Sequence, residues 1–471
     1  MHGVTKIPDG LPRTLGELRD AGYTYRTVKE ELRANLLARM RSGEGRFPGV
    51  VGYDDTVLPE VERAILAGHD IVLLGERGQG KTRLIRSLID LLDEWTPVIP
   101  GSALNEHPMH PIIPASQQLV DLAGADQPVT WLHRSMRYGE KLATPDTSVA
   151  DLVGDVDPIK VAQGRTLGDP ETIHFGLVPR TNRGIFSVNE LPDLAERIQV
   201  SLLNVLEERD IQVRGYQLRL PLDLLLVASA NPEDYTNRGR IITPLKDRFG
   251  AEIRTHYPVD LDLEVALILQ EAELVATVPE HVIEVLARFT RAVRESPAVD
   301  QRSGVSARFG IAAAETVAAA ALRRSGLLGE AEAVARIGDT VSVVSTLRGK
   351  VEFESGEEGR EVEILAHLLR TATAEEFRAR LAGLDLSGFI NLVADGDIVE
   401  TGDLVGADEV LRQIGTVPGL AKVLERLGFG DAPTRGEAAS GVEFVLEGLH
   451  LTRRMSKAET DEGRTLYGSR E

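Results

Sequence analysis

The sequence predicts an α/β fold: a five-stranded parallel sheet between helices, followed by a helical lid and a mainly helical C-terminal region. Three observations carry this. Over residues 50–258, short apolar runs alternate with helical periodicity, the pattern of a parallel sheet with crossover helices. Residues 75–82 read Gly-Glu-Arg-Gly-Gln-Gly-Lys-Thr, which fits the phosphate-loop pattern G-x-x-x-x-G-K-[ST]. From Asp260 the apolar residues fall three and four apart, and the stretch 312–321 is rich in alanine.

The elements follow in order. Residues 1–45 are charged and helical in pattern, anchored by Leu15, Leu18, Tyr23, Val28, Leu32 and Leu36, and Arg46-Phe47-Pro48-Gly49 punctuates the join to the next domain. Residues 71–74 form a short buried strand. Leu84, Leu88 and Leu91 then recur at helical spacing, so the loop sits at a helix N-terminus. Further strands are expected at 129–133, 185–188, 224–229 and 252–257. Leu263 and Leu267 mark one helix; Val282, Leu286, Phe289 and Val293 mark another. In the tail, residues 351–354 and 361–365 either pair as a hairpin or the second opens a helix. Thr373-Ala-Glu-Glu376 reads as a capping box at a helix start. The expected domains are 1–45, 46–258, 259–336 and a mainly helical 337–471.

Composition narrows the function classes. With 42% hydrophobic and 27% charged residues, the chain has an ordinary globular profile. No run approaches a membrane span, and the first residues lack the apolar core of a secretory signal. The absence of cysteine removes thiolate catalysis, disulfides and Cys-ligated zinc, and fits a cytoplasmic protein. A net charge of −20 and only 4% aromatic residues argue against nucleic-acid binding.

The loop defines the chemistry. Gly75, Gly78 and Gly80 permit a tight turn whose backbone N–H groups face phosphate oxygens, with Glu76, Arg77 and Gln79 between them. Lys81 reaches the β- and γ-phosphates, and the Thr82 hydroxyl holds Mg²⁺. Strand 185–188 ends in Asn189 and Glu190. Glu190 is placed as general base toward an attacking water, and Asn189 stands where an aspartate usually holds Mg²⁺, so it would act through a bound water. Asn231 ends another strand and would help orient the water. In a ring, Arg248 can act as a finger on a neighbour's nucleotide, with Arg240 a second candidate. Arg308 opens the alanine-rich helix and could contact the γ-phosphate, with Arg302 as fallback. His107 and His110 beside Glu106 look faintly like a metal cluster, but Pro108 and Pro111 make this an extended loop. Segments 408–414 and 419–427 superficially suggest a helix-turn-helix; the acidic background favours plain helix packing.

Together these pieces resemble an AAA+ ATPase of the magnesium-chelatase ATPase-subunit and MoxR group. Val51 and Gly52 are similar to its adenine-side segment, and Asn182-Arg-Gly-Ile185 to the lead-in of its acidic strand. Leu206-Glu-Glu-Arg209 and the following residues resemble its helix and hairpin, while residues 245–249 and 304–308 match its finger and second-sensor positions. Residues 147–179 would carry the group's helix-2 insertion. The resemblance covers about residues 47–324. It implies ATP and Mg²⁺ as cofactors, a homo-oligomeric ring (usually a hexamer), and a von Willebrand factor A protein in trans. The leading implied function is an ATP-hydrolysing motor that remodels a partner. The alternatives are the ATPase subunit of a magnesium or cobalt tetrapyrrole chelatase, a nucleotide-binding scaffold that hydrolyses little, and a sigma-54-type activator, whose GAFTGA loop this chain lacks.

Overall fold

The computed structural model describes residues 6–470 apart from 158, 160, 161, 163–171, 208, 209, 214, 215, 233–239, 301, 302, 395, 396, 461 and 462; at 206, 210–213 and 216–219 it describes backbone alone. The chain divides into two compact units, residues 1–256 and 257–471.

The first unit is built on five parallel strands: β1 (Ile71–Leu74), β2 (Tyr138–Leu142), β3 (Gly184–Asn189), β4 (Leu224–Ala230) and β5 (Ala251–Arg254). Their order across the sheet is β5-β1-β4-β3-β2. Alternation along each strand feeds two cores. Ile71 and Leu73 join Ile185, Leu225, Val227 and Ile253 on one face, with Leu84 and Ile85. Val72 and Leu74 join Phe186, Val188, Leu226 and Ala228 on the other. Burial on both faces is why these strands read as unbroken apolar runs. The N-terminal helix α1 (Val28–Ser42) adds Val28, Leu32 and Leu36 to the first of these cores. Its buried Glu31 receives both guanidinium ends of Arg137 at 2.7 Å each.

One expected strand lies elsewhere. Residues 130–133 pair antiparallel with Trp95–Val98 in a separate two-stranded ribbon. The fifth parallel strand is β2, Tyr-Gly-Glu-Lys-Leu, which hides in the sequence because it is an edge strand and carries charge.

The second unit is mainly helical. Helices α4 (Glu280–Glu295), α5 (Arg308–Leu328), α6 (Glu361–Leu381) and α7 (Arg435–Leu451) share one apolar core. A three-stranded antiparallel sheet of Val399–Gly402, Arg464–Gly468 and Ser456–Glu459 accompanies them. Residues 361–365 open α6 rather than a hairpin. Thr373 does not begin a helix: it is buried within α6, and its hydroxyl donates to the Leu369 carbonyl at 2.9 Å. Glu376 points at Arg288 and Arg380 instead of back at a cap. The pattern misleads because a threonine bonded to its own helix leaves the same spacing as a capping box. Segments 408–414 and 419–427 become helices Ala407–Ile414 and Leu420–Arg426, whose Val410, Ile414 and Val423 lie in the core.

Candidate functional site

Parallel strands bring their carboxyl ends to one edge, where a ligand crevice forms. The register shows what meets there. Leu74 pairs with Ala230, and Ala228 with Val188, so the loop after β1, Asn231 after β4 and Glu190 after β3 stand at one level. β4 lies between the loop strand and the Glu190 strand.

The loop turns tightly through Gly78 (φ 72°) and Gly80 (φ 78°) into helix α2 (Lys81–Ser87). Gly75 permits close packing: a Cβ there would collide with Thr255 Oγ1 and with Gln79 Oε1. Gln79 braces the turn from inside. Its Oε1 accepts from Glu76 N at 3.1 Å and from Thr255 Oγ1 at 2.7 Å. The buried Tyr53 hydroxyl donates to the Gln79 carbonyl. Burial pushes that phenol up to about 12, so it remains a donor at physiological pH. Tyr53 follows Val51 and Gly52 directly, which sets the adenine-side candidates beside the loop in sequence. Arg77 is exposed and Thr82 lies in the first turn of α2.

The buried Lys81 ammonium sits on acceptors: the Gly75 carbonyl, the Glu76 carbonyl at 2.9 Å and Asn231 Oδ1 at 2.9 Å. Carbonyls are weak partners for a full charge, and phosphate oxygens are stronger ones. The loop is therefore chemically fit for a nucleotide's phosphates. The cavity of about 420 Å³ beside it is lined by Gly75, Glu76 and Gln79 with Lys246, Glu252 and Arg254.

The strand end opposite carries its own strain. Glu190 is left-handed (φ 57°), which costs a non-glycine residue about 1–3 kcal/mol and persists where surrounding structure imposes it. Ser229 links the two strands: its Oγ accepts from Glu190 N at 3.3 Å and donates to Asn189 Oδ1 at 3.3 Å. The Thr82 hydroxyl and the Asn189 amide oxygen are hard oxygens of the kind Mg²⁺ takes alongside phosphate, so their chemistry fits such an ion.

Arg248 lies at the other edge. It ends helix α3 (Thr243–Arg248) before β5, whose first residue is level with the first residue of β1. It lines a cavity of about 390 Å³ with Asp70, Arg183 and Asp223, each the residue immediately before a strand. Arg240 is exposed. Arg308 begins α5 in the second unit, and Arg302 falls outside the described residues. Glu106 is fully engaged by Ser102, Ser116 and the backbone N–H groups of Ile112 and Ile113. His107 is buried with its imidazole held far below its ordinary value, at about 2, by desolvation and then by the Arg183 charge. No cluster of three potential metal ligands occurs among the described residues.

Sequence reasoning missed Tyr53, Thr255, Ser229 and Glu140. The first three act through hydroxyls that no motif marks. Glu140 lay on the unrecognised strand β2.

A parallel sheet with a G-x-x-x-x-G-K-T loop after β1 and polar residues ending β3 and β4 has the arrangement of a phosphate-loop nucleotide-binding core. A family model described as "Sigma-54 interaction domain" matches residues 165–248. The chain is similar to magnesium-chelatase subunit ChlI of Nostoc sp., with 28% identity over 234 residues, 48% of this chain and 58% of that protein. It is similar to ChlI of Synechocystis sp., with 29% identity over 236 residues, covering 48% and 61%. The matches thus span little more than half the length of these relatives. A chain from the complex between subunits BchI and BchD of magnesium chelatase, based on a single-particle cryo-EM reconstruction, matches 68% of this chain over 98% of its own length, at 21% identity and a TM-score of 0.36. Motifs and relatives together support an AAA+ ATPase of the magnesium-chelatase ATPase group, with ATP and Mg²⁺ as cofactors. No described helix is long and apolar enough to cross a membrane.

Proposed function

We propose that this chain hydrolyses ATP at the loop of residues 75–82, within a homo-oligomeric ring, and transmits the cycle to a partner protein as a chelatase-type ATPase subunit. The observation that supports it most is the level arrangement of Lys81, Asn231 and Glu190 across three neighbouring strands. Lys81 exchanges its carbonyl acceptors for phosphate oxygens. The loop N–H groups hold those oxygens in place. Glu190 takes a proton from the attacking water, which Asn231 orients. Mg²⁺, when bound through Thr82 and Asn189, offsets phosphate charge. The named relatives favour the chelatase-type reading over the more general remodelling motor of the MoxR type. A partner with a von Willebrand factor A domain, a hexameric ring and an Arg308 contact to the γ-phosphate belong to the same proposal.

The sigma-54-type match favours a second reading, but its residues 165–248 begin beyond the phosphate loop, and the chain has no GAFTGA sequence. Calorimetry with a non-hydrolysable ATP analogue tests the first reading: Lys81→Ala should abolish binding while leaving the melting temperature close to wild type. Unchanged affinity would refute it.

A further inference from the structure

Asn189 places no charge where this chemistry usually has one. A charge stands one strand away. On β2, Glu140 is level with Ser187 of β3, so it shares a sheet face with Ser187 and with Asn189 two residues on. Its Oε1 accepts from Asn189 Nδ2 at 2.6 Å. Its Oε2 accepts from the Tyr138 hydroxyl at 3.0 Å and from Arg86 Nε at 3.0 Å. Arg86 lies four residues after Thr82 on α2, on the same helix face. Arg86, Glu140 and Asn189 are thus joined in one hydrogen-bonded chain, with Thr82 one helical turn before Arg86.

The geometry points to Glu140 as the positioning carboxylate of the magnesium site, acting through Asn189 in place of the missing aspartate. This rests on the loop binding nucleotide with Mg²⁺. Two effects follow from the hydrogen bond. It fixes the amide: Nδ2 is committed to Glu140, so Oδ1 faces Ser229 and the strand end. It also polarises the amide, because donating to a carboxylate enriches the electron density on Oδ1, which then accepts more strongly from a metal-bound water. The negative charge remains within a few ångströms of the position an aspartate would hold. Arg86 opposes that field, but its side chain is 59% exposed against 22% for Glu140, so solvent screens the arginine more.

A plain surface ion pair between Arg86 and Glu140 predicts a different pattern, and the two separate cleanly. The readout is the Mg²⁺ concentration that half-saturates nucleotide-analogue binding, with Mn²⁺ paramagnetic resonance as a direct probe of the metal. Glu140→Gln should raise that midpoint about tenfold or more, as loss of outer-shell partners does. Arg86→Ala should leave it unchanged or lower it. The double variant Glu140→Gln with Asn189→Asp should return it to near wild type, since the charge is restored one strand over. Parallel effects of Glu140→Gln and Arg86→Ala, or no rescue by the double variant, would overturn the assignment. An unchanged midpoint in Glu140→Gln, while Lys81→Ala still abolishes binding, would overturn it and leave the proposed function standing. Failure of the wild-type chain to bind nucleotide at any Mg²⁺ concentration would remove both. Binding by Glu140→Gln in the absence of metal should match wild type, which separates a metal effect from misfolding.

Discussion

The two edges of the parallel sheet both carry polar side chains and use them in opposite ways. At the edge where strands begin, charges are closed on each other or on backbone. Arg137 grips Glu31 at both ends of its guanidinium, and Asp223 accepts from Val28 N at 2.9 Å. Arg183 is 4% exposed and donates to the Pro97 carbonyl and Thr96 hydroxyl. At the edge where strands finish, Lys81 rests on carbonyls that a phosphate can replace, and Glu190 is held in strained backbone. The first edge commits these hydrogen bonds to folding, although Arg183 Nε stays buried without a partner among the described residues. The second holds Lys81 on carbonyl oxygens and carries the strained Glu190, which fits the proposed nucleotide edge.

Arg248 is the exception that most sharpens this contrast: an arginine at the closed edge with a proposed role in catalysis. A nucleotide in its own loop would lie at the far edge, about 13 Å away along a four-residue strand. Mixing Glu190→Gln with Arg248→Ala should recover activity that neither variant has alone, because one interface in the mixed ring pairs an intact base with an intact finger. Finger arginines contribute about 10³–10⁵ in rate in related phosphoryl transfers, so the recovered signal should be plain. Silence in a mixture shown by native mass spectrometry to co-assemble would return Arg248 to a purely structural role.

A second test breaks the closed edge directly. Arg137→Ala leaves Glu31 buried without its charged partner, with only Asp93 N among the described residues donating to it, at 2.6 Å, and breaking a buried pair in this way typically costs about 3–5 kcal/mol. Denaturant unfolding should show that loss, while nucleotide affinity measured below the transition stays within about twofold. A matching loss of affinity would mean the two edges are coupled and the contrast is false.

The smallest effect concerns pH. His107, which lines the cavity at the closed edge, is neutral in the folded chain because burial holds its imidazole at about 2. The unfolded imidazole takes a proton near its ordinary value, about 6.5. Below that pH the unfolded state binds the extra proton, so the stability due to a neutral buried His107 is complete above about 6.5 and declines as pH falls, by about 1.4 kcal/mol per pH unit. His107→Gln should flatten the dependence of melting temperature between pH 7 and pH 5. An unchanged slope would show that the ring charges in place.

The contrast also explains what was legible in the sequence. The open edge is written in short motifs, since a phosphate loop and strand-end polar residues need fixed spacing: residues 75–82, Asn189-Glu190 and Asn231 stand out in one dimension. Buried strands were equally plain, because burial on both faces makes them unbroken apolar runs. β2 was not legible, since an edge strand with Glu140 and Lys141 resembles a loop. Thr373 misled because side-chain bonding inside a helix imitates a cap. Tyr53, Thr255 and Ser229 escaped because a hydroxyl's role depends on what tertiary packing sets beside it. The bidentate pair of Glu31 with Arg137 joins residues 106 apart, a separation at which no local pattern exists.

The position of Arg248 has a consequence for assembly. Under the proposed finger role, a protomer would offer its arginine from one edge and its loop from the other, two unlike faces whose contacts between copies would run head to tail. An open row of such protomers always leaves its first loop unserved and its last arginine idle. Only closure removes both defects. Catalytic capacity per subunit should therefore rise with row length and step up once more when the ring shuts, making turnover a reporter of topology as well as of concentration.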